Sequence, residues 1–141
     1  MSDKIMVVPC SGMGKVYGLV GRESTLRVVR ELCPDEADTI CLAYLVTGDE
    51  EASVRIKGKR CITLDGCPAM CAAKSVTLAG GDVQKKLKVL DAFKRHKGAK
   101  PGTATELTEE GWCISDEIAD EIATMVLEMK GEVRENGRKH T

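Results

Sequence analysis

The chain reads as an α/β protein, a three-layer, Rossmann-like arrangement in which a mainly parallel sheet of about four strands carries helices on both faces. Short apolar runs alternate with longer amphipathic segments in the order strand, helix, strand, helix, strand, helix, strand, helix. That alternation is the pattern of parallel strands joined by right-handed crossovers. Glycine and proline mark the junctions, as in Ser11-Gly12-Met13-Gly14, Cys33-Pro34 and Asp65-Gly66-Cys67-Pro68. With 141 residues, 43% of them apolar and 30% charged, residues 1–141 suffice for one domain with its own core. No internal repeat is visible.

Taken in order, Ile5-Met6-Val7-Val8-Pro9-Cys10 forms the first apolar run and is read as a strand. After the glycine-rich turn, Val16, Tyr17, Val20, Leu26, Val28, Val29 and Leu32 recur at approximately helical spacing. Gly18 and Gly21 weaken the first half of that helix, and Cys33-Pro34 ends it because the residue before proline avoids helical geometry. The second strand is expected around Thr39 to Leu45. Thr47 and Glu50 match a capping box that predicts a helix over Glu51 to Ile56, stopped at Gly58. The third strand, from Cys61, ends at Asp65-Gly66, and Pro68 is expected as the first residue of a helix carrying Met70, Cys71, Ala72, Ala73 and Val76. Alternating polar and apolar residues over Lys86 to Phe93 predict an exposed edge strand, and Lys94 to Thr105 a basic surface loop. Ser115 is expected to cap a last helix whose Ile118, Ile122, Met125, Val126, Met129 and Val133 form one apolar stripe packed on the sheet.

Composition excludes several functions. The net charge of −1, from 21 basic and 22 acidic side chains, creates no field that recruits polyanions. Tyr17, Tyr44, Phe93 and Trp112 are too scattered for a base-stacking platform, so nucleic acid is not an expected partner. No apolar stretch approaches the ~20 residues that span a bilayer, and Met1-Ser2-Asp3-Lys4 has none of the parts of an export signal. A cytoplasmic protein without a membrane segment is expected. Its seven cysteines should then be reduced thiols used for metal, for redox chemistry or as small core residues.

Four of those seven close, or lie just inside, the ends of apolar runs read as strands: Cys10, Cys41, Cys67 and, one helical turn further, Cys71. In a parallel sheet the carboxyl ends of the strands share the edge at which ligands bind. Four thiolates meeting there suit tetrahedral Zn2+. Cys67 and Cys71, four apart at a predicted helix start, are expected on one helical face, where free amides and the helix dipole stabilise thiolate. Spacing alone leaves two readings open, a four-thiolate site or Cys10 and Cys41 as ordinary buried strand residues. An iron–sulfur cluster would use the same ligands.

Asp65-Gly66-Cys67-Pro68-Ala69-Met70-Cys71 resembles the central signature of the DGC-domain family, to which zinc binding is attributed. Pro9-Cys10-Ser11-Gly12-Met13-Gly14-Lys15 resembles that family's amino-terminal motif and Ile40-Cys41-Leu42-Ala43 its second-strand motif. The resemblance spans roughly residues 5 to 95 and implies Cys10, Cys41, Cys67 and Cys71 as the metal ligands. It implies no particular reaction. The alternative function is a thiol-based redox, sulfur- or soft-metal-handling enzyme or carrier using the same cysteines. A third class, an interaction module, would use the apolar helix surfaces or the Lys94 to Lys100 loop.

The other candidates are weaker. Cys61 reads as core, Cys33 has no evident partner, and Cys113 is a minor candidate for a further ligand if its loop folds over the metal edge. Asp65 is expected to stabilise the turn before Cys67, with metal-supporting or general-base roles as alternatives. Lys15 and Lys74 are expected to be solvated, and neither His96 nor His140 stands near a cysteine in a catalytic pattern. Gly12-Met13-Gly14-Lys15 is no phosphate loop, because Pro9 replaces its first glycine and Val16 the hydroxyl residue that holds magnesium. A dinucleotide fingerprint fails because its third glycine, Gly18, comes one residue late. Val16 also stands where a cysteine phosphatase would need arginine. If Cys41 lies inside its strand and does not ligate, three thiolates and an open position remain, which permits Lewis-acid chemistry.

Overall fold

The computed structural model describes residues 4–10, 16–40, 42–66, 70–103 and 106–138, with side chains through residue 131. Strand β1 (Ile5–Pro9) is buried on both faces up to Val8, as an inner strand of a parallel sheet must be. It pairs in parallel with β2 (Ala37–Asp38) on one side and β3 (Arg60–Asp65) on the other, and β4 (Asp82–Lys88) pairs in parallel with β3. The strand order is β2-β1-β3-β4, so the expected four-stranded parallel sheet is present.

Alternation along the strands divides the core into two layers. Ile5, Val7, Ile62 and Leu64 face α1 (Val16–Arg27), α5 (Val89–Arg95) and α6 (Glu109–Arg138). Met6, Val8 and Cys61 face the opposite layer, built from α2 (Leu42–Val46), α3 (Glu50–Ile56) and α4 (Cys71–Leu78), where Ile40, Leu45, Ala52, Ile56 and Val76 complete the packing. Helix α1 widens into a π-helical turn over Val28–Leu32, and the Cys33 amide donates to Val28 O, five residues back, at 2.7 Å. The helix therefore stops just before Pro34, as its sequence predicts.

Several boundaries differ from the sequence reading. The second strand is not Thr39 to Leu45: it ends at Asp38, and Leu42–Val46 is helical. A five-residue apolar run does not by itself distinguish strand from helix, and Leu42 and Leu45 serve a short helix as well. The capping box is also replaced. Asp49 Oδ2 accepts from Ala52 N at 2.9 Å to start α3, whereas Thr47 Oγ1 donates back to Tyr44 O.

The edge strand runs Asp82–Lys88 rather than through Phe93, because a bulge changes its alternation. Cys61 pairs with Val83 but Ile62 with Lys85, leaving Gln84 as the extra residue. Val83 consequently packs with the α4 layer and Leu87 with the α6 layer. From Val89 the chain is helical. Val89 and Ala92 are buried, and Phe93 meets Tyr17 edge to face with ring centroids 4.6 Å apart. Lys85 and Lys86 are exposed on the open edge, where charge opposes pairing with another strand.

Helix α6 begins at Glu109, six residues before the expected cap. Thr108 Oγ1 accepts from Gly111 N at 3.1 Å and performs the capping instead. A Cβ on Gly111 would collide with the carbonyl of Pro101, so this first turn can lie against the preceding loop only with glycine there. Ser115 is inside the helix and buried, its Oγ 3.2 Å from Ser24 Oγ at the crossing of α1 and α6. Ile118, Ile122, Val126 and Met129 form the expected buried stripe, with Met125 partly buried. The side chain of Val133 lies outside the described residues. The helix packs chiefly on α1, its π-helical turn and α5 rather than directly on the sheet. It reaches β3 through Arg60, whose guanidinium donates to Met129 O at 3.0 Å.

An ionic clasp joins α5 to α6. Arg95 reaches Glu117 at 2.7 Å and Glu121 at 3.1 Å, and His96 Nε2 donates to Glu117 Oε2 at 2.7 Å. His96 is thereby a structural partner. These bonds, His96 first and Arg95 second, hold the Glu117 carboxyl below its ordinary range. A depressed carboxyl contributes stability above the unfolded pKa, about 4.3, and loses it as pH falls through the lower folded value. Glu117→Gln is expected to cost about 0.5–1 kcal/mol at pH 7, the range for partly exposed pairs. The difference from wild type should shrink progressively as the pH of the melts is lowered below the unfolded pKa; a difference that stays constant across that acid range would refute the charge-based account.

Candidate metal centre

The strand order creates a switch point at the carboxyl ends of β1 and β3. From β1 the chain departs through α1 on one face of the sheet, and from β3 through α4 on the other. Such divergence opens a crevice at the strand ends. Cys10 follows β1 directly, half-buried, and its amide donates to Leu64 O at 2.9 Å, carrying the parallel ladder one residue past the strand. The backbone at Cys10 is thus tied to the end of β3.

The other side of the crevice is built by Asp65. This residue is completely buried, and its Oδ1 and Oδ2 accept from Ala72 N at 2.7 Å and Ala73 N at 3.3 Å. It caps α4 from a distance of seven residues, in place of Met70, which has no capping side-chain bond and adopts a left-handed φ of 56°. The expected turn-stabilising role of Asp65 is therefore realised at the helix start. Cys71 is the first residue of α4 and is exposed.

This arrangement shifts the described start of the helix expected from Pro68. Helix α4 begins at Cys71, directly after the left-handed Met70. The amides of Ala72 and Ala73, which would offset thiolate charge, are engaged by a carboxylate. Cys67 and Pro68 themselves lie outside the described residues, as do Cys41, Lys15 and the Ser11 to Gly14 turn. The strand expected over Thr39 to Leu45 is corrected on either side of Cys41, where Thr39 and Ile40 are already beyond β2 and Leu42 opens a helix.

Residues flanking these cysteines nevertheless stand at one edge. Pro9, before Cys10, lines a cavity of about 290 Å³ with Ile40 and Leu42, the neighbours of Cys41. Gly66, before Cys67, lies against Tyr17 and Gly18 near the start of α1, and α2 packs on α4. Among the described residues, no group of three or more histidine, cysteine, aspartate or glutamate side chains is placed to hold a metal ion. Cys10 and Cys71 are the described half of the expected ligand set. The donors they offer are sulfur, which suits zinc, iron–sulfur clusters or other soft metals and not magnesium or calcium. Asp65 is spent on the helix and does not enlarge the set.

The remaining thiols are apart from this edge in character. Cys61 is fully buried, donates to Lys59 O at 3.2 Å and is pushed up to about 11, chiefly by burial. Cys33 is buried beneath α6, its thiol 3.9 Å from Ala123 O, and is likewise raised by burial and then by Glu36. Both are core residues. Cys113 is exposed on α6, inside the helix rather than on a loop that could fold over the metal edge. Lys74 is exposed on α4, as expected.

The DGC domain model matches residues 6–127. The chain belongs to the DGC domain family. The match covers all four strands, apart from Ile5, and most of α6, so the family assignment encompasses the switch point as well as the cysteine motifs. No curated protein and no solved structure matches the chain. Among the described residues of this DGC-domain protein, no helix is long and apolar enough to cross a membrane.

Proposed function

We propose that this DGC-domain protein binds one zinc ion through Cys10, Cys41, Cys67 and Cys71 at the carboxyl edge of its sheet. The observation that carries the reading is the Cys10 amide bond to Leu64 O, which joins the ends of the two strands that lead into Cys10 and Cys67. Asp65 supports it by setting Cys71 at the start of α4 beside the same crevice. Zinc held by four thiolates would be structural, while an open coordination position would supply Lewis-acid chemistry. Reduced thiolates are required in either case, which fits a cytoplasmic protein.

The second reading, a thiol-based redox, sulfur- or soft-metal-handling protein, draws on the exposure of Cys71. An accessible cysteine at a crevice can attack a soft electrophile or pass on a soft metal.

Elemental mass spectrometry of anaerobically purified protein tests the zinc reading. Near-stoichiometric zinc is expected in wild type and its loss in the Cys67→Ser, Cys71→Ser variant. A folded, reduced wild type without metal would overturn the proposal, and iron with a brown colour would reassign the site to a cluster.

A further inference from the structure

We draw no further inference here: the strongest candidate, the groove of about 400 Å³ between α5 and α6 beside the open edge of β4, mixes Leu64, Leu87 and Met125 with charges of both signs at Lys88, Glu121 and Glu128, and nothing in the structure shows what covers it.

Discussion

Replacing Asp65 with alanine is expected to destabilise the protein by about 3 kcal/mol, more than an ordinary exposed helix cap contributes. The carboxylate is fully buried and holds the amides of Ala72 and Ala73, both in residues that are themselves buried. Alanine would leave those donors without a partner and without access to water. Asp65→Asn retains one acceptor and should cost about 1 kcal/mol. Urea denaturation of the three proteins distinguishes the cases, with the midpoint order wild type, Asn, Ala. A loss below about 0.5 kcal/mol for alanine would mean that Asp65 does not anchor α4. The same substitution frees the start of α4, so under the zinc reading metal retention should fall together with stability.

Thiol alkylation at pH 8 is expected to divide the cysteines by structure and by metal. Cys113, exposed on α6, should react quickly whether or not a chelator is present. Cys61, raised to about 11 and buried, is thiolate in only about one molecule in a thousand at that pH. Cys33 is also raised by burial, and both should stay unmodified until the protein unfolds. Cys71 is the informative residue, because it is as open to reagent as Cys113. Bound zinc should slow its alkylation at least about tenfold, with protection lost on chelation. Mass spectrometry of peptides from anaerobic samples gives all four rates at once. If Cys71 reacts as fast as Cys113 before and after chelation, the zinc reading fails and the reactive-thiol reading takes its place.

Both experiments depend on features with different visibility in sequence. The apolar run Ile5 to Val8, the run Cys61 to Leu64 and the spacing of Ile118, Ile122, Val126 and Met129 identify inner strands and a buried helix face. The stripe has a single helical period, and the two short runs are rich in β-branched residues and end at Pro9 and at Asp65-Gly66, which favours short inner strands over helices. The run around Ile40 to Leu45 and the segment from Val89 to Phe93 satisfy strand and helix patterns alike, and packing chose helix in both. The Gln84 bulge was hidden for a related reason, since an inserted residue moves Val83 and Leu87 to opposite faces and erases the alternation by which a strand is recognised.

The sequence by itself determined the α/β class, the parallel sheet, the DGC-domain membership and the cysteines that end its motifs. Periodicity, turn residues and motif spacing are properties of neighbouring residues and can be read along the chain. Only the tertiary structure decided that Asp65 caps a helix seven residues away, that Thr108 rather than Ser115 starts α6, and that Pro9 shares a cavity with Ile40 and Leu42. Those outcomes depend on which buried donors lack a partner once the layers close. That is a condition on distances in space, and a hydrogen-bond donor finds its acceptor there regardless of the number of residues between them.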